Sequence, residues 1–180
     1  MKTERTPTVT DLPVTLADAK AAARIDHTDD DALLTRYVRA AAADIEAQAG
    51  LALLTTTVNV TLDAGEVCSP IFLGIGPVAE DATATVYTVG EDGSTAELDA
   101  GAWWFEAGRW PRLHVVDSLS DGLIINYSAG MGEDADEIPD DLVTAICDQT
   151  RWLYDGMPDR GPALAPSAAR VVARHRGARL

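Results

Sequence analysis

The chain has 180 residues, 47% of them hydrophobic and 24% charged, which is the balance of a folded domain able to bury its own core. Its net charge is −15, which argues against a conventional nucleic-acid-binding surface built on clustered cations. The charge is uneven. Residues 1–159 hold all 29 acids and nine Lys or Arg, a balance of −20, whereas residues 160–180 hold five Arg and no acid.

Residues 1–14 carry Pro7 and Pro13 and no apolar run. They predict a mobile arm and no secretory signal, and no apolar run is long enough for a transmembrane helix. Thr15 predicts the N-cap of a short helix through Arg24, rich in alanine. Thr28 predicts the next N-cap, with Asp29, Asp30 and Asp31 in the first turn, where negative charge meets the helix dipole. Leu33, Leu34, Tyr37, Val38, Ala41 and Ile45 then recur at helical spacing up to Gly50, a C-terminal cap.

From Thr55 the period changes to two, with Thr56, Val58, Val60 and Leu62 on one face. Further strands are predicted at 71–73, 83–89, 102–106, 112–116 and 123–128, separated by Gly- and Pro-bearing turns. Helix returns at Pro139, with Leu142, Ile146, Gln149, Thr150 and Leu153 at helical spacing, and ends at Gly156. Pro158, Pro162 and Pro166 predict an extended connector, followed by a basic segment that is either a short helix or irregular until bound. The expected class is α+β: helices near 15–24, 28–49 and 139–155, a mostly antiparallel β module inserted at about 55–128, and an extended C-terminal tail. The corresponding division is a domain at 1–157 and a tail at 158–180.

Motifs for catalysis are sparse. His27, His114 and His175 are unpaired in sequence, and Cys68 and Cys147, in no CxxC arrangement, read as two buried free thiols, with a single disulfide as the competing reading. A calcium-loop reading from Asp26 fails at the sixth and twelfth positions, Asp31 and Tyr37. Glu133, Asp134, Asp136, Glu137, Asp140 and Asp141 read as a solvated approach to a helix N-terminus, with a divalent-ion or hydrolytic carboxylate site as the competing reading. The sequence predicts no catalytic residue, metal or cofactor. Trp103, Trp104, Phe105 and Trp110 are either core or a protein contact. The basic tail is either a solvated terminus or a docking segment, with Arg170, Arg174 and Arg176 for charge and Val171, Val172 and Leu180 as apolar anchors.

The ordered set Leu12–Lys20, Asp29–Leu34, Tyr37–Glu46, Gly76-Pro77-Val78, Ile125–Gly130, Ile138–Leu142 and Trp152/Tyr154 resembles tailed-phage head–tail connector proteins, also called adaptor or head-completion proteins, with related copies in gene transfer agents. The resemblance implies a non-enzymatic structural adaptor at the head–tail junction of a virion or phage-like particle, assembled in a bacterial host cytoplasm. It implies a ring, expected to be twelve-fold, beneath the portal protein. The ring extends the DNA channel without specific DNA binding and meets a tail-side connector or stopper. It assigns portal docking to the tail, through Arg160, Arg170, Val171, Val172, Arg174, Arg176, Arg179 and Leu180. Trp103, Trp104 and Trp110 become candidate interface aromatics. The alternatives from other classes are a small carboxylate- or metal-dependent hydrolase and a cytoplasmic module whose Arg-rich tail contacts RNA.

Overall fold

The computed structural model describes residues 1–116, 119–156 and 164–176. Its elements are β1 (Lys2–Pro7), α1 (Leu16–Ala23), α2 (Asp31–Ala49), β2 (Thr56–Leu62), β3 (Ile71–Phe72), β4 (Thr85–Val89), β5 (Thr95–Glu97), β6 (Trp103–Glu106), β7 (Arg112–Val115), β8 (Gly122–Ala129), α3 (Asp140–Tyr154) and α4 (Pro166–His175), with a 3-10 turn at Ala135–Glu137. This is the α+β class the sequence predicts. The chain divides into two units, Met1–Val9 with Thr55–Met131, and Thr10–Leu54 with Gly132–Leu180.

The first unit is built of antiparallel strands. One sheet has the order β1-β2-β8-β4-β5 and the other β3-β7-β6. In β2 the predicted alternation is realised: Thr56, Val58, Val60 and Leu62 are buried and the residues between them face outward. Ile125 and Tyr127 of β8 join the buried face. The inner faces of the two sheets meet where Phe105 lies 5.9 Å from Tyr127. The Tyr127 hydroxyl donates to the carbonyls of Leu73 (3.4 Å) and Ile75 (3.0 Å). Burial pushes this phenol above its ordinary pKa, outweighing the hydrogen bond to Ile75 and the nearby Arg5 charge. On the outward face Asn59 Nδ2 donates to Asn126 Oδ1 at 2.7 Å. Asn59 and Asn126 are thus a cross-strand pair.

Residues 2–7 correct the expectation of a mobile arm. They form β1, in register with β2 from Lys2–Thr61 to Pro7–Thr56. Every β1 side chain is exposed, so no apolar pattern marks it. The strand is held by backbone pairing and by the Thr56 hydroxyl donating to the Thr6 carbonyl. β5 is likewise fully exposed and was not predicted.

The second unit is helical. α1, α2, α3 and α4 pack together, with α3 contacting each of the other three. Leu34, Val38, Ala41, Ala42, Ile45 and Ala49 of α2 are buried, whereas of the predicted stripe members Tyr37 is half-buried and Leu33 is exposed, which corrects its place in the stripe. Thr15 caps α1 as predicted, accepting from the Asp18 N–H at 3.1 Å. Thr28 does not cap α2. Its carbonyl instead accepts from the Asp31 N–H, and Asp30 takes the capping position without a side-chain cap bond, its carboxylate accepting from the Tyr154 hydroxyl at 2.7 Å. Of the two readings of the basic segment, a short helix is the one realised: Pro166–His175 is α4, started by Pro166 at a position where its missing N–H costs nothing. No helix among the described residues is long and apolar enough to cross a membrane.

Cys147 is buried on α3, but Cys68 is exposed, correcting the expectation of two buried thiols. Burial first, and then Asp18 and Asp148, push the Cys147 thiol up to about 11. In native protein at pH 8, a thiol reagent is therefore expected to label Cys68 alone, with Cys147 reacting only after denaturant is added. A mass spectrum of the labelled peptides checks this.

Arg24 ends α1 in the left-handed region, at φ 59°. A side chain there costs about 1 kcal/mol that glycine avoids. Arg24→Gly is expected to stabilise the protein by about 1 kcal/mol, a rise of about 2–4 °C in Tm, read by calorimetry.

Candidate docking surfaces

About half of the acids in the two acidic stretches are engaged in local structure. Asp31 accepts from Lys20 Nζ at 2.6 Å, joining α2 to α1. Glu137 Oε2 accepts from the N–H groups of Glu133 (2.7 Å) and Asp134 (3.2 Å), closing a capping box on the 3-10 turn. Gly132 lies so close to Glu137 that an added Cβ would strike its side chain. Among the described residues no group of three or more His, Cys, Asp or Glu gathers as a metal site. The three histidines have separate surroundings. His27 is exposed, His114 stacks on Trp104, and His175 pairs with Asp141.

α4 is fixed by polar contacts that the sequence did not announce. Gln149 of α3 is fully buried. Its Oε1 accepts from the Ala165 N–H at 2.7 Å, and its Nε2 donates to Asp44 of α2 at 3.2 Å. Ala165 is the N-cap of α4 and has no side chain to cap with, so this amide orders the helix entry. At the other end of α4, His175 Nε2 and Arg174 lie 2.8 and 3.4 Å from Asp141. Burial raises the Asp141 pKa, but the His175 hydrogen bond and the charges of His175 and Arg174 outweigh it and hold the carboxyl below its ordinary value.

The eight predicted docking residues separate accordingly. Arg160, Arg179 and Leu180 lie outside the described residues. Val172 is buried beside Ala168 in the helical core. Arg170, Arg174 and Arg176 are exposed, and Val171 is half-buried. Arg170, Val171, Arg174 and Ser167 line a groove of about 510 Å³, whose other wall is Thr144, Ala145 and Asp148 of α3.

A second surface lies on the β3-β7-β6 sheet. Registry places Phe72, Arg112, Glu106, His114 and Trp104 on one face. Trp104 is 53% exposed and Phe72 59%. Trp104 stacks on His114 at 3.5 Å, and the Arg112 guanidinium lies 4.8 Å from the Phe72 ring. Glu106 reaches His114 at 3.2 Å and Arg112 at 3.8 Å. Trp103 is half-buried, its indole N–H donating to the Leu98 carbonyl, and Trp110 is half-buried beneath Arg109. The sequence marked the tryptophans. Phe72, Arg112 and His114 were missed because only strand registry brings them together.

The profile of the phage gp6-like head-tail connector protein family matches residues 13–69. No curated protein matches the chain. Solved structures of gene transfer agent particles contain chains of the same fold. One, from the virion of the native particle, is 24% identical with a TM-score of 0.82, over 100% of this chain and 97% of that one. Another, from the neck of the empty particle computed with C6 symmetry, is 23% identical with a TM-score of 0.82 and the same coverage. A third, from the neck of the native particle computed with C12 symmetry, is 25% identical with a TM-score of 0.78, again at 100% and 97% coverage.

Gln149→Leu keeps the volume but leaves the buried Ala165 N–H without its acceptor, a loss of about 1–3 kcal/mol. Hydrogen exchange is expected to quicken across α4 before it quickens across α2. The chain thus resembles the phage gp6-like head-tail connector family in sequence over residues 13–69, and chains of gene transfer agent particles in fold over its whole length.

Proposed function

We propose that the protein is a structural adaptor of a phage-like particle, placed at the head–tail junction. Copies of the chain form a ring beneath the portal, continue the DNA channel, and present a surface to the next connector. The reading is carried by the whole-length likeness to chains of gene transfer agent particles, two of them from the neck. The physical character of the surfaces supports it. Trp104 and Phe72 are left exposed, stacked on the half-buried His114 and Arg112, and aromatic and guanidinium groups are enriched at protein contacts. The acidic balance of residues 1–159 suits a channel that DNA passes without adhering. The segment after residue 157 serves portal docking, through the exposed Arg170, Arg174 and Arg176 and the further basic residues Arg160 and Arg179.

Leu164, Ala165, Ala168 and Val172 are buried, so removing everything after residue 159 would strip part of the helical core. The test therefore uses the full chain. Mixed with purified portal rings, it is expected to co-sediment with them and to add a ring of density on one side in electron micrographs. A chain that sediments at the same rate with and without portal rings would overturn the reading.

A further inference from the structure

We infer that the groove between α3 and α4 seats an acidic segment of the portal, with two carboxylates about one helical turn apart flanking a small apolar residue. This rests on the docking reading above and names the chemistry of its partner.

The groove is asymmetric. Arg170 and Arg174 stand one turn apart on one rim, about 6 Å. The half-buried Val171 supplies apolar surface over the buried Ala145, and Asp148 stands on the opposite wall. α4 contains two Arg and one His and no acid, in a chain where acids outnumber Lys and Arg by 29 to 14. Arg174 is partly engaged by Asp141 at 3.4 Å. Arg170 makes no ion pair or side-chain hydrogen bond among the described residues, so its charge is available to a partner.

An exposed guanidinium pair beside apolar surface suits carboxylates carried on a folded segment, which places charge on one side only. A nucleic-acid backbone repeats its charge along its whole length and would meet Asp148 as well as the arginines. The asymmetry therefore favours a protein occupant.

The experiment has two probes. On portal rings, Arg170→Glu with Arg174→Glu is expected to weaken retention of the chain at least about tenfold. Asp148→Asn is expected to strengthen it by about threefold, because it removes a like charge facing the occupant. A gain from Asp148→Asn cannot come from misfolding. The second probe is an alanine-based helical peptide with Glu at two positions four apart, and its Gln counterpart as control. Wild-type chain is expected to bind the Glu peptide at least about tenfold more tightly. Unchanged retention of the double variant, or weaker retention of Asp148→Asn, overturns the inference. So does loss of DNA retention by the double variant while portal binding is unchanged, which would make the groove a nucleic-acid contact. If wild-type chain ignores the portal but takes the Glu peptide, the adaptor reading falls and the groove chemistry stands. If it takes neither, both fall.

Discussion

The helical unit depends on one buried amide. Gln149 has no access to water, yet both ends of its side chain are bonded, one to Asp44 on α2 and the other to the backbone at the entry of α4. A net hydrogen bond contributes only about 1 kcal/mol, but an orphaned buried donor costs about 1–3 kcal/mol. The stronger effect is therefore exclusion of alternatives. A shift of α4 along α3 strands the amide, whereas a slide of Val172 over apolar neighbours would cost little. The apolar residues Leu164, Ala168 and Val172 supply adhesion, and Gln149 supplies position. The groove beside α4 inherits its geometry from that fixed entry.

The two sheets are fixed differently. β8 is central, its Ile125 and Tyr127 are buried, and Tyr127 meets the inner face of the second sheet at Phe105. Tyr127 combines a ring against Phe105 with a hydroxyl bonded to two carbonyls of the 73–75 segment. It thus satisfies backbone groups that lie outside the strand ladders. The outward face of the large sheet carries the Asn59–Asn126 pair, so its polar character is specified as closely as the core.

What the sequence made legible follows from where the energy lies. α2, α3 and β2 bury a periodic face, and periodicity is visible in one dimension. β1 was invisible because its stabilisation is backbone pairing to a partner 50 residues away, with six exposed side chains. α4 left only a weak signal. Its buried face is Ala168 and Val172, and its position is set by Gln149 and Asp141 on another helix. The same limit applied to the surfaces. The arginines and tryptophans were marked as candidates, but Asp148 facing the arginines and Phe72 and His114 beside the tryptophans emerge only from packing and registry.

The uneven charge then acquires a physical meaning. At physiological salt, charges more than about 8 Å apart are largely screened. The proposed ring of acidic copies would therefore be governed less by the total of −15 than by which groups come within contact distance. Most of the acids with identified partners serve caps, turns and helix junctions: Asp31 with Lys20, Asp30 with Tyr154, Glu137 with its own turn, Asp141 with α4. Such acids raise the net charge without creating a sticky anionic surface. The cations of α4 are concentrated instead, on an element with no acid of its own and one exposed side. In the proposed adaptor, that contrast separates a surface that DNA must slide past from a surface that another protein must hold.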